Sequence, residues 1–240
     1  MNILVTGGVS GLGKAISEKL AKEYPESTVY ATYFSSSTAA QNLEQSYSNI
    51  KTIQCDFASP ESLTALIEKF PSMNLGIVVN NALTGIESKH FHKIDSSFFV
   101  HSFQNNVLPV IQIAQNMIPL FRKQKYGKFI TVLSSYILDT PPLGMSEYVA
   151  AKCYLHSLSN SWAAENAKYG ITANCLSPSI MRTGLTSDTD ERIFEELELA
   201  SPLKRLLTVE ETANAVFYLS KKGGELNGGN IKVEAGDVFE

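Results

Sequence analysis

The sequence predicts an α/β chain: a parallel sheet covered by helices on both faces. Two observations predict it. Seven short apolar runs rich in β-branched residues alternate with amphipathic helical stretches, and the 240 residues contain no repeat and no linker that would divide them into separate cores. Strands separated by helices must be joined by crossovers, which makes neighbouring strands parallel.

The first run, NILVT from Asn2, is followed by a glycine-rich stretch and then by KAISEKLAKEY from Lys14, apolar at helical spacing. TVYATY from Thr28 and IKTIQC from Ile50 are the second and third strands, and PESLTALIEKF from Pro60 is helical. LGIVVN from Leu75 is the fourth strand. Residues 96–123 form the longest helical stretch, interrupted by Pro109 and Pro119, and Pro109, lacking the N–H that would bond the Asn105 carbonyl, should bend it there. GKFITVL from Gly127, ITANCL from Ile171 and NIKVE from Asn230 complete the strands, with helices in SEYVAAKCY (146–154) and VEETANAVFYLS (209–220).

A net charge of -4, without a long Lys or Arg run, leaves no electrostatic footprint for nucleic acid. No leader and no apolar run of membrane-spanning length is visible, so a cytoplasmic protein without a membrane partner is expected. Cys55, Cys153 and Cys175 are far apart and odd in number, which fits neither a disulfide framework nor a metal site. His90 and His92 lack a third ligand nearby, so no metal is expected.

TGGVSGLG, Thr6 to Gly13, follows the first strand directly and opens the first helix, the setting a dinucleotide fingerprint requires. Gly7 allows the tight turn, Gly11 lets the backbone approach a pyrophosphate, and Gly13 lets helix pack on strand. The helix dipole and exposed N–H groups favour the anion. With seven strands, the expected fold is a Rossmann-type doubly wound sheet in a single domain, 1–240.

An acidic residue some twenty positions on, near Tyr33, would grip the ribose of NAD. STVYATYFSSSTAAQN contains neither an acid there nor an Arg or Lys. The hydroxyls of Thr32, Ser35 and Ser36 offer phosphate ligands, Lys14 offers a charge, and the missing carboxylate removes a like-charge penalty. NADP(H) is therefore preferred over NAD(H).

In SEYVAAKCY, Tyr148 and Lys152 lie four apart and share one helix face. A nearby ammonium is expected to pull the phenol down from its usual 10.

On these residues the chain resembles the short-chain dehydrogenase/reductase family over nearly its full length. The matching motifs are T-G-x-x-x-G-x-G, CDF ending at Phe57, NNA ending at Ala82, an Asn in the long helix, SS after the fifth strand, and Tyr-x-x-x-Lys. The resemblance implies a catalytic tetrad of Asn106, Ser135, Tyr148 and Lys152. Ser135 stands thirteen residues before Tyr148, the family's usual interval, which favours it over Ser134. It further implies that the tetrad Asn holds a water linking the Lys to solvent. Cofactor contacts are implied at Gly7, Ser10, Gly11, Leu12 and Gly13, at Tyr33, Phe34 and Ser35, and at Asp56 and Phe57. Asn81, Ala82, Tyr148 and Lys152, and Pro178, Ser179, Ile180 and Thr183, complete that set.

Departures are Leu83 and Ser179, where the family usually has Gly, and they could alter backbone geometry around the nicotinamide. Residues 183–201 fall where the family has its mobile substrate lid. Tyr136, Ile137, Leu138, Leu143 and Met145 could line an apolar pocket or pack the lid. The chain is most similar to 3-oxoacyl-carrier-protein reductases, in AENAKYGITANCLSP and SPLKRLLTVEETANAVFYLS. A carrier protein would need a basic docking face near the cleft, for which RKQKYGK at 122–128 is the candidate.

The expected activity is NADPH-dependent reduction of a ketone to a secondary alcohol, or its reversal. The substrate is a small carbonyl or alcohol, or an acyl thioester, and Tyr148 is the general acid/base. A specific 3-oxoacyl-carrier-protein reductase and a non-catalytic nucleotide-binding regulator are the alternatives. A homodimer or homotetramer, paired through the long helix and the SWAAEN helix, is implied by the resemblance.

Overall fold

The structure, a computed structural model, describes residues 1–187, 189–221 and 226–236. Seven strands form one parallel sheet: β1 Asn2–Val5, β2 Val29–Tyr33, β3 Ile50–Gln54, β4 Leu75–Asn80, β5 Gly127–Val132, β6 Ile171–Pro178 and β7 Asn230–Val233. Their order is β3-β2-β1-β4-β5-β6-β7. β1 pairs with both β2 and β4, so the winding direction reverses there, opening a crevice beyond the carboxyl ends of the strands. All seven expected strands form. β4 and β5 are buried on both faces, which is why they read as unbroken apolar runs.

The helices are α1 Gly11–Glu23, α2 Ser37–Ser46, α3 Pro60–Ile67, α4 Phe70–Met73, α5 Ser96–Ser102, α6 Leu108–Gln124, α7 Ser146–Asn166, α8 Glu191–Ala200 and α9 Val209–Ser220. They divide the core into two layers. α1 and α9 cover one face, burying Ile16, Leu20 and Val216 against Ile3, Val5 and Val79. On the other face α6 and α7 bury Ile113, Phe121 and Trp162 against Phe129 and Ala173. Capping starts several helices: the Ser59 hydroxyl accepts from the Ser62 N–H, and Thr208 and Glu211 form a capping box on α9.

Two elements depart from expectation. α2 was hidden in the polar stretch after Tyr33, whose Ala40 and Leu43 are nonetheless buried. The long helix is not one α-helix bent at Pro109: Phe103–Val107 is a π turn, with the Leu108 N–H donating to the Phe103 carbonyl five residues back. Pro109 occupies the first turn of α6, where a missing N–H costs little, whereas Pro119 sits inside α6.

Among the described residues no helix is long and apolar enough to cross a membrane, and no group of three or more His, Cys, Asp or Glu could hold a metal ion.

Candidate active site

Because the strands are parallel, the glycine turn after β1, Tyr33 at the end of β2, Asp56 after β3, Asn81 after β4, the Ser134–Ser135 pair after β5 and Pro178 ending β6 all emerge at one edge of the sheet. The sequence-predicted residues, dispersed from Gly7 to Thr183, are gathered by topology alone.

The glycine turn is braced from three sides. Gly7 and Gly11 have positive φ, 63° and 49°, a region open to Gly at no steric cost. The Gly7 N–H donates to the Thr32 hydroxyl at 3.0 Å and the Ser17 hydroxyl to the Gly8 carbonyl at 2.8 Å. The Thr6 hydroxyl accepts from the Asn81 and Ala82 N–H groups at 2.9 and 3.0 Å, and Asn81 Nδ2 donates to the Thr6 and Gly7 carbonyls. NNA is thus the strut that holds the turn.

The turn fits a pyrophosphate. Ser10 caps α1 without a side-chain bond and the first helical turn carries no acidic residue, so the helix start has no internal anion. Gly11 faces Thr183, whose Cβ would lie 3.5 Å from a Cβ added at Gly11. Residues that would hold the dinucleotide are therefore Ser10 to Gly13 on one side and Thr183 on the other.

At the end of β2, Tyr33 is partly buried while Phe34 and Ser35 are exposed. α2 begins two residues after Ser35, and its first turn is also free of acids. Thr32 is buried and engaged by Gly7, so of the three hydroxyls suggested as phosphate ligands, this one is already committed to the fold. Lys14 lies within 3.9 Å of Glu18, as a helix-face lysine does. The Asp56 N–H donates to the Ser62 hydroxyl and the Asp56 carboxylate accepts from the Ala58 N–H, both at 2.9 Å, while Phe57 packs on the core. Ser179 donates its N–H to the Val233 carbonyl. Leu83 and Ser179 are absent from the residues with positive φ, so replacing the family's glycines brings no left-handed strain here.

Tyr148 and Lys152 lie on successive turns of α7 and point at the end of β5. Lys152 is buried, its Nζ donating to the Val132 carbonyl at 2.8 Å and lying 5.7 Å from the Tyr148 ring centre. The expected lowering of the phenol does not occur: burial pushes the Tyr148 hydroxyl up to about 12, opposed by a hydrogen bond with the Ser134 side chain. Burial likewise brings Lys152 down to about 8, against a smaller pull upward from Cys175. Both charged forms lose solvent, and the loss outweighs their proximity.

The thirteen-residue spacing puts the expected serine at Ser135, and Ser134 directly precedes it. Ser134 stands two residues beyond the end of β5, and its hydroxyl accepts from the Tyr136 N–H at 3.3 Å, capping the 3-10 turn Ser135–Ile137. Ser135 is buried too, and its carbonyl accepts from the Leu138 and Asp139 N–H groups. The end of β5 is pinned by its ladder with β6 through Val132 and Leu176.

Asn106 lies buried in the π turn. Its Oδ1 accepts from the Thr84 N–H and hydroxyl at 2.7 and 3.0 Å, and its Nδ2 donates to the Thr84 carbonyl at 3.1 Å and the Ser102 hydroxyl at 3.3 Å. The amide is fully engaged, so its orientation is fixed. Ser102 and Thr84 were not singled out from the sequence, because neither stands in a motif.

Of the suggested pocket residues, Tyr136 and Ile137 turn inward, and burial raises the Tyr136 phenol. Leu143 is exposed and lines an apolar groove of about 510 Å³ with His90, Phe91, Pro141, Pro142 and Val149. The groove lies along the loop before α7, beside the turn that carries Tyr148. RKQKYGK sits at the opposite end of β5 from Ser134, roughly 20 Å away at the rise of a strand. Arg122 there donates to Asn166 Oδ1 at 2.8 Å and stacks on Tyr169, and burial lowers Lys128. This run serves the fold, not the cleft.

The segment 183–201 carries a 3-10 turn, Gly184–Thr186, and α8, with Asp188 outside the described residues. Arg182 grips α8 through Glu191 at 2.6 Å and Glu198 at 3.2 Å and stacks on Phe194.

Lys152 makes a stability prediction. Its folded pKa lies below the unfolded value, so between about 8 and 10.5 the unfolded chain binds more protons and stability rises with pH. Below about 8 its buried charge costs roughly 3 kcal/mol. Lys152→Met is expected to melt higher than the wild type at pH 7, with the gap closing between pH 8 and 10.5. Calorimetric scans across that range check it, and a gap independent of pH would refute it.

A parallel sheet with a winding reversal beside a glycine turn, and a Tyr-x-x-x-Lys helix facing the same edge, defines a dinucleotide-dependent oxidoreductase. The family model for short chain dehydrogenases matches residues 1–193, and the chain belongs to that family. Its members are oxidoreductases acting on CH–OH and C=O groups with NAD(P), and so is this chain. It is 29% identical over 242 residues to a 3-oxoacyl-[acyl-carrier-protein] reductase of Aquifex aeolicus, covering 97% of this chain and 95% of that one. It is 26% identical over 245 residues to an acetoacetyl-CoA reductase of Allochromatium vinosum, covering 97% and 96%. A solved short chain dehydrogenase/reductase family protein superposes with a TM-score of 0.86 at 26% identity, covering 98% and 96%.

Proposed function

We propose that the protein reduces a ketone to a secondary alcohol with NADPH, or catalyses the reverse, and that Tyr148 transfers the proton. The observation that carries this reading is the convergence of the Tyr148 phenol, the Lys152 ammonium and a serine hydroxyl at the sheet edge beside the glycine turn. When bound, the nicotinamide supplies or accepts the hydride. Tyr148, protonated at neutral pH, donates to the carbonyl oxygen, and a serine hydroxyl stabilises the charge that builds there. Lys152 orients beside the phenol, and Asn106 holds the π turn. Ser135, thirteen residues before Tyr148 and buried just beyond the end of β5, is that serine, with Ser134 directly before it as the alternative.

NADPH is favoured because no carboxylate stands at the end of β2, where Ser35 and Ser36 precede α2. Thr183 and Ser179 line the nicotinamide side. The segment 183–201 is the substrate lid. The relatives named above make 3-oxoacyl thioesters the first substrates to try, although the remote position of RKQKYGK removes its argument for a carrier protein. Dimers or tetramers pair through α6 and α7, in the cytoplasm.

Titration calorimetry with NADPH and NADH, then loss of NADPH absorbance against ketones and 3-oxoacyl thioesters, tests the reading. Tighter NADPH binding and turnover are expected, and failure to bind either nucleotide would sink it. Ser135→Ala is expected to lower kcat by roughly a hundredfold, and Ser134→Ala by less than about tenfold. The reverse ranking would give the role to Ser134.

A further inference from the structure

We propose that Glu147, immediately before Tyr148, is a positioning residue that, through the Ser102 hydroxyl, ties Asn106 and its π turn to the first turn of α7. The proposal rests on the functional reading above, in which Asn106 and Tyr148 belong to one site. Glu147 is only 4% exposed, and no cation among the described residues pairs with it. A buried carboxyl without a cation is costly, and burial accordingly raises its pKa. Its side chain accepts from the Ser102 hydroxyl, a contact from the end of α5 to the start of α7.

The order of donors gives the chain a direction. Asn106 spends both lone pairs of Oδ1 on Thr84 and one Nδ2 proton on the Thr84 carbonyl, so its other proton goes to Ser102 Oγ. Ser102, accepting there, has its own proton free for Glu147. The Thr84 N–H and carbonyl set which end of the amide is which, whereas the Ser102 hydroxyl is held toward α7 by Glu147, and without that acceptor the hydroxyl can turn and the tie between the π turn and α7 is lost. Three separate segments, the loop after β4, the π turn and α7, are held in register by this one chain. A buried polar chain of this kind specifies one arrangement only when every member is satisfied.

The test uses the full chain with NADPH and acetoacetyl-CoA as probe, together with 15N NMR of the Asn106 side-chain amide in the nucleotide-free protein. Glu147→Ala is expected to lower kcat roughly tenfold while KM for acetoacetyl-CoA and the NADPH Kd stay within about twofold. Glu147→Gln keeps an acceptor oxygen and should restore most of kcat. Ser102→Ala should match Glu147→Ala, with no further loss in the double variant, as expected of one chain. In both alanine variants the Asn106 amide resonances should move and exchange faster. Unchanged kcat in Glu147→Ala with only a lower Tm, or an equal loss in Glu147→Gln, would overturn the proposal. Should Glu147→Ala not fold, Ser102→Ala carries the same readouts. Should the wild type not turn over the probe, unmoved Asn106 resonances overturn the proposal and shifted ones support it, while the missing turnover counts against the functional reading alone.

Discussion

Tyr148→Phe is expected to lower kcat by about a thousandfold while NADPH affinity changes by no more than a few-fold. The phenol is the proton-bearing group aimed at the reacting edge, and the ring that packs α7 against β5 is kept by Phe. What remains after the substitution is a serine hydroxyl that donates a hydrogen bond to the building charge but is too weak an acid to give its proton up. Because burial holds the phenol at about 12, it stays protonated across the physiological range. If Tyr148 is the proton donor, as proposed, ketone reduction by the wild type has its donor ready, whereas alcohol oxidation requires that proton to leave and should speed up as pH rises. Steady-state rates in both directions from pH 6 to 10, with calorimetry of NADPH binding, check both statements. More than about a tenth of wild-type kcat in Tyr148→Phe would remove Tyr148 from the proton transfer.

Gly13→Ala should be the most damaging single methyl group in the molecule. A Cβ there would lie 1.9 Å from the Gly7 carbonyl oxygen and 2.7 Å from Asn81 Nδ2. The first is backbone, and it cannot swing aside as a side-chain end can. Relief requires moving α1 off the turn or moving Gly7, whose φ of 63° is held by Thr32, Asn81 and β1. The cost is expected to exceed the roughly 1 to 3 kcal/mol of ordinary overpacking. The result should be a sharply lower Tm and at least a hundredfold loss of NADPH affinity, because the same turn would carry the pyrophosphate. Gly184→Ala is the control: nothing lies within 4 Å of its added Cβ, and its Tm should not change. Equal behaviour of the two variants would show that the clash is absorbed.

How much of this was legible in the chain varies with the physics involved. Strands were legible because each is a local run whose apolar residues must leave water, and parallel pairing followed from the helices between them. The glycine turn was legible because positive φ and close approach restrict the residue type. Tyr148 and Lys152 were legible as a pair because i and i+4 share a helix face. α2 was missed because its few buried residues, Ala40 and Leu43, make a faint apolar pattern in a polar stretch.

The sequence by itself determined the sheet, the position of the glycine turn and the family, since these depend on local patterning and on motifs read along the chain. The tertiary structure alone decided the charge preference of Tyr148 and Lys152 and the partners of Asn106. Hydrogen-bond partners such as Thr84 and Ser102 lie on other segments, and desolvation depends on how completely β5 and α7 exclude water. Neither quantity is a property of residue spacing. For that reason a phenol expected to be lowered by its neighbouring ammonium is instead raised, and the basic run once available for docking lies at the wrong end of β5.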